Sequence, residues 1–350
     1  MHPNKIINED LQNIVASGLD WKQFENTTIL ITGANGFLPA YMVETLLFLV
    51  HTKVVQDLKV LALVRNKEKA EKRFAHLLND MHLQFIVQDV CLPVQVNEPI
   101  HFIVHAASQA SPKYYGVDPV GTLKANVIGT INLCELARKN PLKSLLYFSS
   151  TDVYGKLNND ATAVSETDYG YVDPLNLRSC YSEAKRMGET ICISYMHQFG
   201  ISVKVVRPAH IYGPGMDLND GRVFADFVRN VVNNENIVLN SDGSDSRTFC
   251  YLSDATIAFF KVLLNGQAGE AYNVANPSCE ITILELARKL ITLFFERNLA
   301  IACKKREKNN HYMPNPIYQR SISTSKINKL EWIPNINIEN GFKRTILSYL

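Results

Sequence analysis

The apolar run Thr28-Ile29-Leu30-Ile31 passes into Thr32-Gly33-Ala34-Asn35-Gly36-Phe37-Leu38-Pro39, and that turn leads into the helix-like stretch Tyr41-Met42-Val43-Glu44-Thr45-Leu46-Leu47. A strand, a glycine turn and a helix in this order are the elements that bind a dinucleotide. Gly33 is expected to take a backbone conformation closed to residues with a Cβ, and Gly36 leaves the amides at the helix start open to a pyrophosphate. The positive end of the helix then faces the phosphates. Asn35, Phe37 and Leu38 border the same turn and are assigned to cofactor binding with Gly33 and Gly36. A three-glycine version would carry its last glycine at Pro39. The motif is therefore one glycine short, and a proline near a helix start is sterically acceptable.

Apolar runs recur at 58–64, 85–87, 102–107, 145–148 and 203–206, most of them separated by helix-like segments. Alternating strand and helix implies a parallel sheet covered on both faces, an α/β fold with a Rossmann-type doubly wound sheet. Scattered apolar positions from Ile6 to Phe24 at nearly helical spacing mark 1–26 as a helical leader packed on the main domain. The dinucleotide domain is expected over 27–206. Beyond Arg207 the pattern changes to Pro/Gly turns, so 207–350 is read as mainly a smaller substrate lobe, with about 271–297 returning to the first domain.

The chain has 350 residues, 20% of them charged, and a net charge of +2, which gives no reason to expect nucleic acid as a partner. Seven scattered cysteines without a C-x-x-C pair suggest neither a disulfide framework nor a zinc site, and no metal is expected. No apolar run reaches the length of about 18 residues that spans a membrane, and Glu9 and Asp10 interrupt the N-terminus. A cytoplasmic protein fits these features. The cluster Lys304, Lys305, Arg306 and Lys308 reads as a solvated face.

Tyr181 and Lys185 lie four apart in CYSEAKRMGE, so both emerge on one face of a helix, as a base and its activator require. A tyrosine ionises near 10, and bringing it to about 7 takes roughly 4 kcal/mol of preferential phenolate stabilisation, which a neighbouring ammonium and a nicotinamide cation can supply. The strand 145–148 runs into Ser149-Ser150-Thr151-Asp152-Val153-Tyr154-Gly155, placing hydroxyls at the carboxyl end of a parallel strand, where ligands bind in this architecture. Alone, those hydroxyls read as a polar turn; with Tyr181 and Lys185 they read as a proton relay.

These segments, together with HAASQASPKYYGVDP, RPAHIYGPG, GRVFADFVRN, SDGSDSRTFCYLSD and KINKLEWIP, make the chain resemble the extended short-chain dehydrogenases of the NAD-dependent nucleotide-sugar epimerase, dehydratase and decarboxylase family. The resemblance covers about residues 27 to 335. ASQASP, RSCYSEAKR and SRTFCYLSD are most similar to UDP-glucuronate decarboxylases and sugar dehydratases. It implies catalytic roles for Ser150, Tyr181 and Lys185 and for Asp152, in hydride transfer at sugar C4 within surface-polysaccharide precursor synthesis. The family dehydratases carry Asp-Glu and the decarboxylases Ser-Glu where this chain has Thr151-Asp152. Thr151 argues against ordinary dehydration, and the shorter acid at Asp152 departs from the decarboxylase pattern. Two alternatives stay open: a net NAD(P)H-dependent reductase of a 4-keto sugar, and a non-catalytic dinucleotide sensor.

The resemblance further implies NAD contacts from Asp89 and Val90, from the strand-four turn Ala106, Ala107 and Ser108, from Asn126, and from Tyr181 and Lys185. Arg65 stands where an NAD site usually carries an acid, which leaves NADP possible. The nucleotide-sugar substrate is assigned to Thr151, Arg178, His210, Arg222 and Arg247, with Arg247 on the pyrophosphate and His210 where many relatives have asparagine. A homodimer through the helices at about 117–139 and 181–199 is expected.

Overall fold

A computed structural model describes residues 2–157, 163–303 and 321–350; the lysine cluster at 304–308 lies outside them. The first half runs α1 (Lys5–Val15), β1 (Thr28–Thr32), α2 (Phe37–His51), β2 (Lys59–Val64), α3 (Lys67–Arg73), β3 (Leu83–Val87), β4 (Phe102–His105), α4 (Pro119–Ala137), β5 (Ser144–Phe148) and β6 (Ala163–Val164). Then come α5 (Ser179–Phe199), β7 (Val203–Pro208), β8 (His210–Tyr212), α6 (Val223–Val232), β9 (Ile237–Leu239), β10 (Ser246–Tyr251), α7 (Leu252–Asn265) and β11 (Ala271–Val274). The chain closes with β12 (Glu280–Thr282), α8 (Ile283–Leu293), β13 (Ile301–Cys303), β14 (Ser321–Ile322), α9 (Ser325–Asn328) and α10 (Ile338–Leu347).

Strands β1, β4 and β5 are buried along their whole length, as continuous apolar runs demand when helices cover both faces of a sheet. Seven strands pair in parallel in the order β3-β2-β1-β4-β5-β7-β11, a Rossmann-type arrangement. Alternation along β1 sorts the two layers: Ile29 and Ile31 pack with α1, α2 and α7, whereas Leu30 faces the layer holding Leu133, Cys134 and Cys192 of α4 and α5. The order reverses between β1 and β4, opening a crevice at the carboxyl ends of these strands.

The leader is sewn into the large core. Ile7, Leu11, Ile14, Trp21 and Phe24 pack there, and the buried Asp10 carboxylate accepts hydrogen bonds from Tyr41 of α2 (3.1 Å), Tyr251 of β10 (2.8 Å) and Arg344 of α10 (2.7 Å). A second core gathers β8, α6, β10, α8 and α10 around Phe224, Phe249, Leu286 and Phe342. The C-terminal half is thus shared more intricately than a single return at 271–297. β11 completes the large sheet, α7 covers it with Ala255, Phe259 and Phe260, but Ile281, Ile283, Leu286 and Leu290 of the same expected return pack in the second core. The reason is pairing: β12 lies antiparallel to β10 and carries α8 with it.

Candidate active site

The glycine turn lies where β1 and β4 diverge. Gly33 has φ +63°, and a Cβ there would come 2.8 Å from Ala107 Cα, so both backbone conformation and space exclude a side chain. Gly36 is the exposed N-cap of α2 in extended backbone, and Pro39 falls within the first helical turn, where its missing N–H has no intrahelical partner to lose. Thr32 Oγ1 accepts from the Ala107 amide (3.2 Å) and meets His105 Nδ1 (2.9 Å), tying the ends of the two strands together. Asn35, Phe37, Leu38, Ala106, Ala107 and Ser108 are half-buried around this turn.

On the far side of the crevice, Asn126 is fully buried. Its amide nitrogen donates to Ser108 Oγ (3.1 Å) and to the Thr122 carbonyl (2.8 Å), while its Oδ1 has no partner within the protein. An orphaned buried acceptor beside a cradle that a Cβ would fill fits a bound dinucleotide. Val90 is buried against Gly129, and its carbonyl accepts from Asn132 (3.0 Å). Asp89 is half-buried and caps the Cys91 amide (2.8 Å); that bond first, and the Arg65 charge among the weaker causes, holds its carboxyl below the usual range. Arg65 itself is exposed at the end of β2.

β5 ends at Phe148, and Ser150 Oγ accepts from the Asp152 amide (3.2 Å), starting the short turn Thr151–Tyr154. One turn apart on α5, Tyr181 and Lys185 point back to this strand end. Lys185 Nζ donates to the Phe148 carbonyl (2.6 Å) and lies 5.7 Å from the centre of the Tyr181 ring. Burial pushes the Tyr181 phenol up to about 12, with the Asp152 charge adding to it and the Ser150 hydroxyl and Arg222 opposing. Burial brings Lys185 down to about 7. In this setting the lysine surrenders its proton before the phenol does, and positive charge beside the phenol favours its ionisation.

Asp152 stands at the join of this pair with the second core. It is half-buried; burial raises its pKa, against the charges of Arg178, Arg222 and Arg247. Those three arginines come from the residue before α5, the N-cap of α6 and β10, so it is the tertiary fold that brings their charges to bear on Asp152. Arg222 pairs with Asp220 (3.2 Å) and donates to the Ala110 carbonyl (3.2 Å); Arg247 pairs with Asp245 (3.3 Å) and the Ser246 carbonyl (2.7 Å). The His210 ring packs edge-on against Phe224 and Phe249, and burial followed by Arg247 and Arg222 lowers it to about 3, so it is neutral. Thr151 is buried in the turn.

Two further residues stand beside Tyr181 and Lys185 without a clear local sign of it in the sequence. Tyr115 stacks on Tyr181 with ring centres 5.2 Å apart and carries the Arg178 guanidinium 5.5 Å from its own ring centre. Its signal is the ASPKYY segment, in which two adjacent tyrosines hide which one turns inward. Glu189 is the second, one helical turn beyond Lys185. Elsewhere, His2, Glu44 and His76 cluster with ligand atoms within 4.8 Å of one another. There His2 Nδ1 accepts from the Asn4 amide (3.0 Å), which leaves the proton on Nε2 facing Glu44, an arrangement of donors around a buried carboxylate.

A parallel sheet with a glycine turn at its switch point and a Ser/Tyr/Lys group at the end of the fifth strand defines a dinucleotide-dependent oxidoreductase-type enzyme. Residues 29–275 match the model of the NAD dependent epimerase/dehydratase family, and the chain belongs to that family. It is an NAD-dependent enzyme. UDP-glucuronic acid decarboxylase 1 of Danio rerio is 32% identical over 319 residues, which cover 91% of this chain and 71% of the relative. UDP-glucuronic acid decarboxylase 3 of Arabidopsis thaliana is 32% identical, over 90% of this chain and 87% of the relative. Two solved structures share the fold. One is dTDP-glucose 4,6-dehydratase from Bacillus anthracis in complex with NAD, with a TM-score of 0.75 and 23% identity over 92% of this chain and 96% of the other. The other is UDP-glucuronic acid 4-epimerase from Bacillus cereus in complex with UDP-glucuronic acid and NAD, with a TM-score of 0.75 and 20% identity over 92% and 99%.

Proposed function

We propose that the enzyme oxidises a nucleotide-linked hexuronic acid at C4 and releases C6 as carbon dioxide. The observation that carries this reading is the convergence of Arg178, Arg222 and Arg247 on Asp152 beside Tyr181. Guanidinium forks suit the oxygens of a diphosphate and of a sugar carboxylate. The likeness to UDP-glucuronic acid decarboxylases over nine-tenths of the chain supports the same substrate class.

Gly33, Gly36 and the start of α2 hold the pyrophosphate of NAD in this reading, and Asn126, Asp89 and Val90 border the rest of it. NAD supplies a reversible hydride acceptor. Tyr181 takes the proton of the C4 hydroxyl, with Ser150 bridging, while Lys185 stabilises the phenolate. Oxidation makes the C6 carboxylate a β-keto acid. The C5–C6 bond then breaks, its electron pair passes into the C4 carbonyl as an enolate, a proton returns at C5, and return of the hydride to C4 with the Tyr181 proton to its oxygen restores the hydroxyl, so that the net loss is carbon dioxide alone. Asp152, whose carboxyl keeps its proton more readily than an exposed acid, stands beside the reacting centre as the donor to C5.

Incubating the purified enzyme with UDP-, dTDP-, GDP- and CDP-linked hexuronic acids and hexoses tests this. Loss of the mass of carbon dioxide from a uronic acid supports the reading; epimerisation or dehydration of a neutral hexose refutes it. Net reduction of a 4-keto sugar is the second reading. Exposed Arg65, where an NAD site usually carries an acid, favours it, and stoichiometric consumption of NAD(P)H would identify it. A non-catalytic sensor has no use for the intact Ser150, Tyr181 and Lys185.

Further proposals follow for assembly and setting. α4 exposes Val120, Leu123, Ile128 and Ile131, and the adjoining α5 exposes Met187 and Ile193, an apolar face suited to a second copy of this chain. We place the enzyme in the cytoplasm, in the supply of surface-polysaccharide precursors. Unpaired Cys91, Cys134, Cys180, Cys192, Cys250 and Cys279 suit a reducing compartment, and no helix among the described residues is long and apolar enough to cross a membrane.

A further inference from the structure

Glu189 occupies α5 one turn after Lys185, and its carboxylate is held on two sides. Arg207 of β7 donates to it through Nε (2.9 Å) and a terminal nitrogen (2.7 Å), and Ser149 Oγ donates from the end of β5 (2.5 Å). Arg207 is itself fully buried and anchored by the Tyr154 hydroxyl (3.1 Å), the Glu166 carbonyl (2.9 Å) and the Tyr169 hydroxyl (3.2 Å). Tyr154 passes the network on to Asn273 of β11 (2.5 Å). A bidentate guanidinium on one side and a hydroxyl on the other fix the Glu189 carboxylate in place one helical turn from Lys185.

That fixed anion matters because of what surrounds Lys185. The groups facing its ammonium are Tyr181 and Cys192 on α5, Tyr147 on β5 and His105 on β4. All four are neutral in the buried site: His105 is pushed down to about 3 by burial and then by Lys185, and burial raises Tyr147 and Tyr181, while Cys192 is held up by its hydrogen bond to Cys134 of α4 and by burial. Glu189 is the leading influence that opposes the burial of the Lys185 charge. It does not figure among the causes that move Tyr181, whose ionisation feels burial, Asp152, Ser150 and Arg222.

We propose that Glu189 is a positioning residue: locked by Arg207 and Ser149, its carboxylate favours the ammonium form of Lys185 beside Tyr181. Glu189, taken up by Arg207 and Ser149, works through Lys185. The proposal rests on the assignment of Tyr181 as the base, but it does not require the substrate to be known.

The test uses the NAD-loaded, full-length protein and its ultraviolet phenolate absorbance as pH is raised, with the Tyr181→Phe protein subtracted to isolate that one phenol. In Glu189→Gln the Tyr181 midpoint is expected to rise so that, at a given pH, about tenfold less phenolate is present, one unit of pKa being one decade. Glu189→Asp is expected to remain near the parent. Because glutamine strands the Arg207 charge, the double variant Glu189→Gln/Arg207→Met removes both charges and is expected to show the same rise. A midpoint that stays or falls in these folded variants overturns the proposal, and so does a double variant that cannot fold, which assigns the pair to stability alone. With a turned-over substrate, the alkaline limb of kcat/KM moves down in Glu189→Gln; a loss equal at every pH overturns the proposal. If no nucleotide sugar is turned over, the reaction reading fails while the phenolate titration still decides Glu189.

Discussion

Replacing Lys185 with methionine keeps the length and apolar stem of the side chain and deletes its charge. The Tyr181 phenol stands at about 12 in its buried setting. Bringing it into use at pH 7.5 therefore takes roughly 4.5 pKa units, about 6 kcal/mol of phenolate stabilisation. Two cations can deliver this: the ammonium of Lys185 on α5, which a forming phenolate beside it holds protonated, and the oxidised nicotinamide ring. If they share it equally, Lys185→Met raises the phenol by about 2 units, roughly 3 kcal/mol, and lowers turnover at pH 7.5 by about 100-fold. The deficit has a signature: turnover should recover about tenfold for each unit of pH until the phenol ionises unaided. Steady-state kcat against pH, with NAD affinity measured alongside by fluorescence titration, provides the assay. A loss of turnover that is constant with pH, with NAD affinity intact, would refute the claim that Lys185 acts by charge on Tyr181.

Three further predictions address the cradle, the substrate side and the fold. Gly33→Ala should weaken NAD binding by about tenfold or more, because left-handed backbone costs a Cβ-bearing residue about 1–2 kcal/mol before the contact with Ala107 is counted; calorimetric titration with NAD checks this, and an unchanged Kd would refute it. Arg247→Ala should raise KM for the nucleotide sugar with a smaller effect on kcat, and an unchanged KM would remove its anion-binding role. Asp254 is buried and accepts from the Asn335 (2.9 Å) and Ile336 (2.8 Å) amides through one oxygen, and burial raises it to about 6. Its folded-state pKa exceeds the unfolded value, so its contribution is most favourable below about pH 4 and is lost as pH rises through 6, by about 3 kcal/mol in all. Asp254→Asn keeps an acceptor oxygen and removes that loss, so chemical denaturation should find it more stable than the parent at pH 7 and no more stable at pH 4; the reverse order would show that the charge is needed.

Local pattern made much of the dinucleotide half legible. β1, β2, β4 and β5 are apolar runs because both faces are covered, and Gly33 marks a backbone that only glycine takes easily. Tyr181 and Lys185 share a helix face by spacing alone. β3 is legible only at its end, 85–87, since Leu83–Val87 has half-buried and exposed positions and none fully buried. α7 looked like part of the second lobe because an amphipathic helix does not state which sheet it covers.

What the sequence determined by itself was the fold class, the glycine turn after β1 and the placing of Tyr181 and Lys185 on one helix face, since each shows in a local pattern of the chain. Only the tertiary structure decided that the charges of Arg178, Arg222 and Arg247 bear on Asp152, that Asp10 joins the leader to α2, β10 and α10, and that Arg207 holds Glu189 one turn from Lys185. Those contacts unite segments far apart in the chain. A charged side chain carries no local sign of its partner, and burial, which gives each pairing its strength, exists only once the whole core has closed.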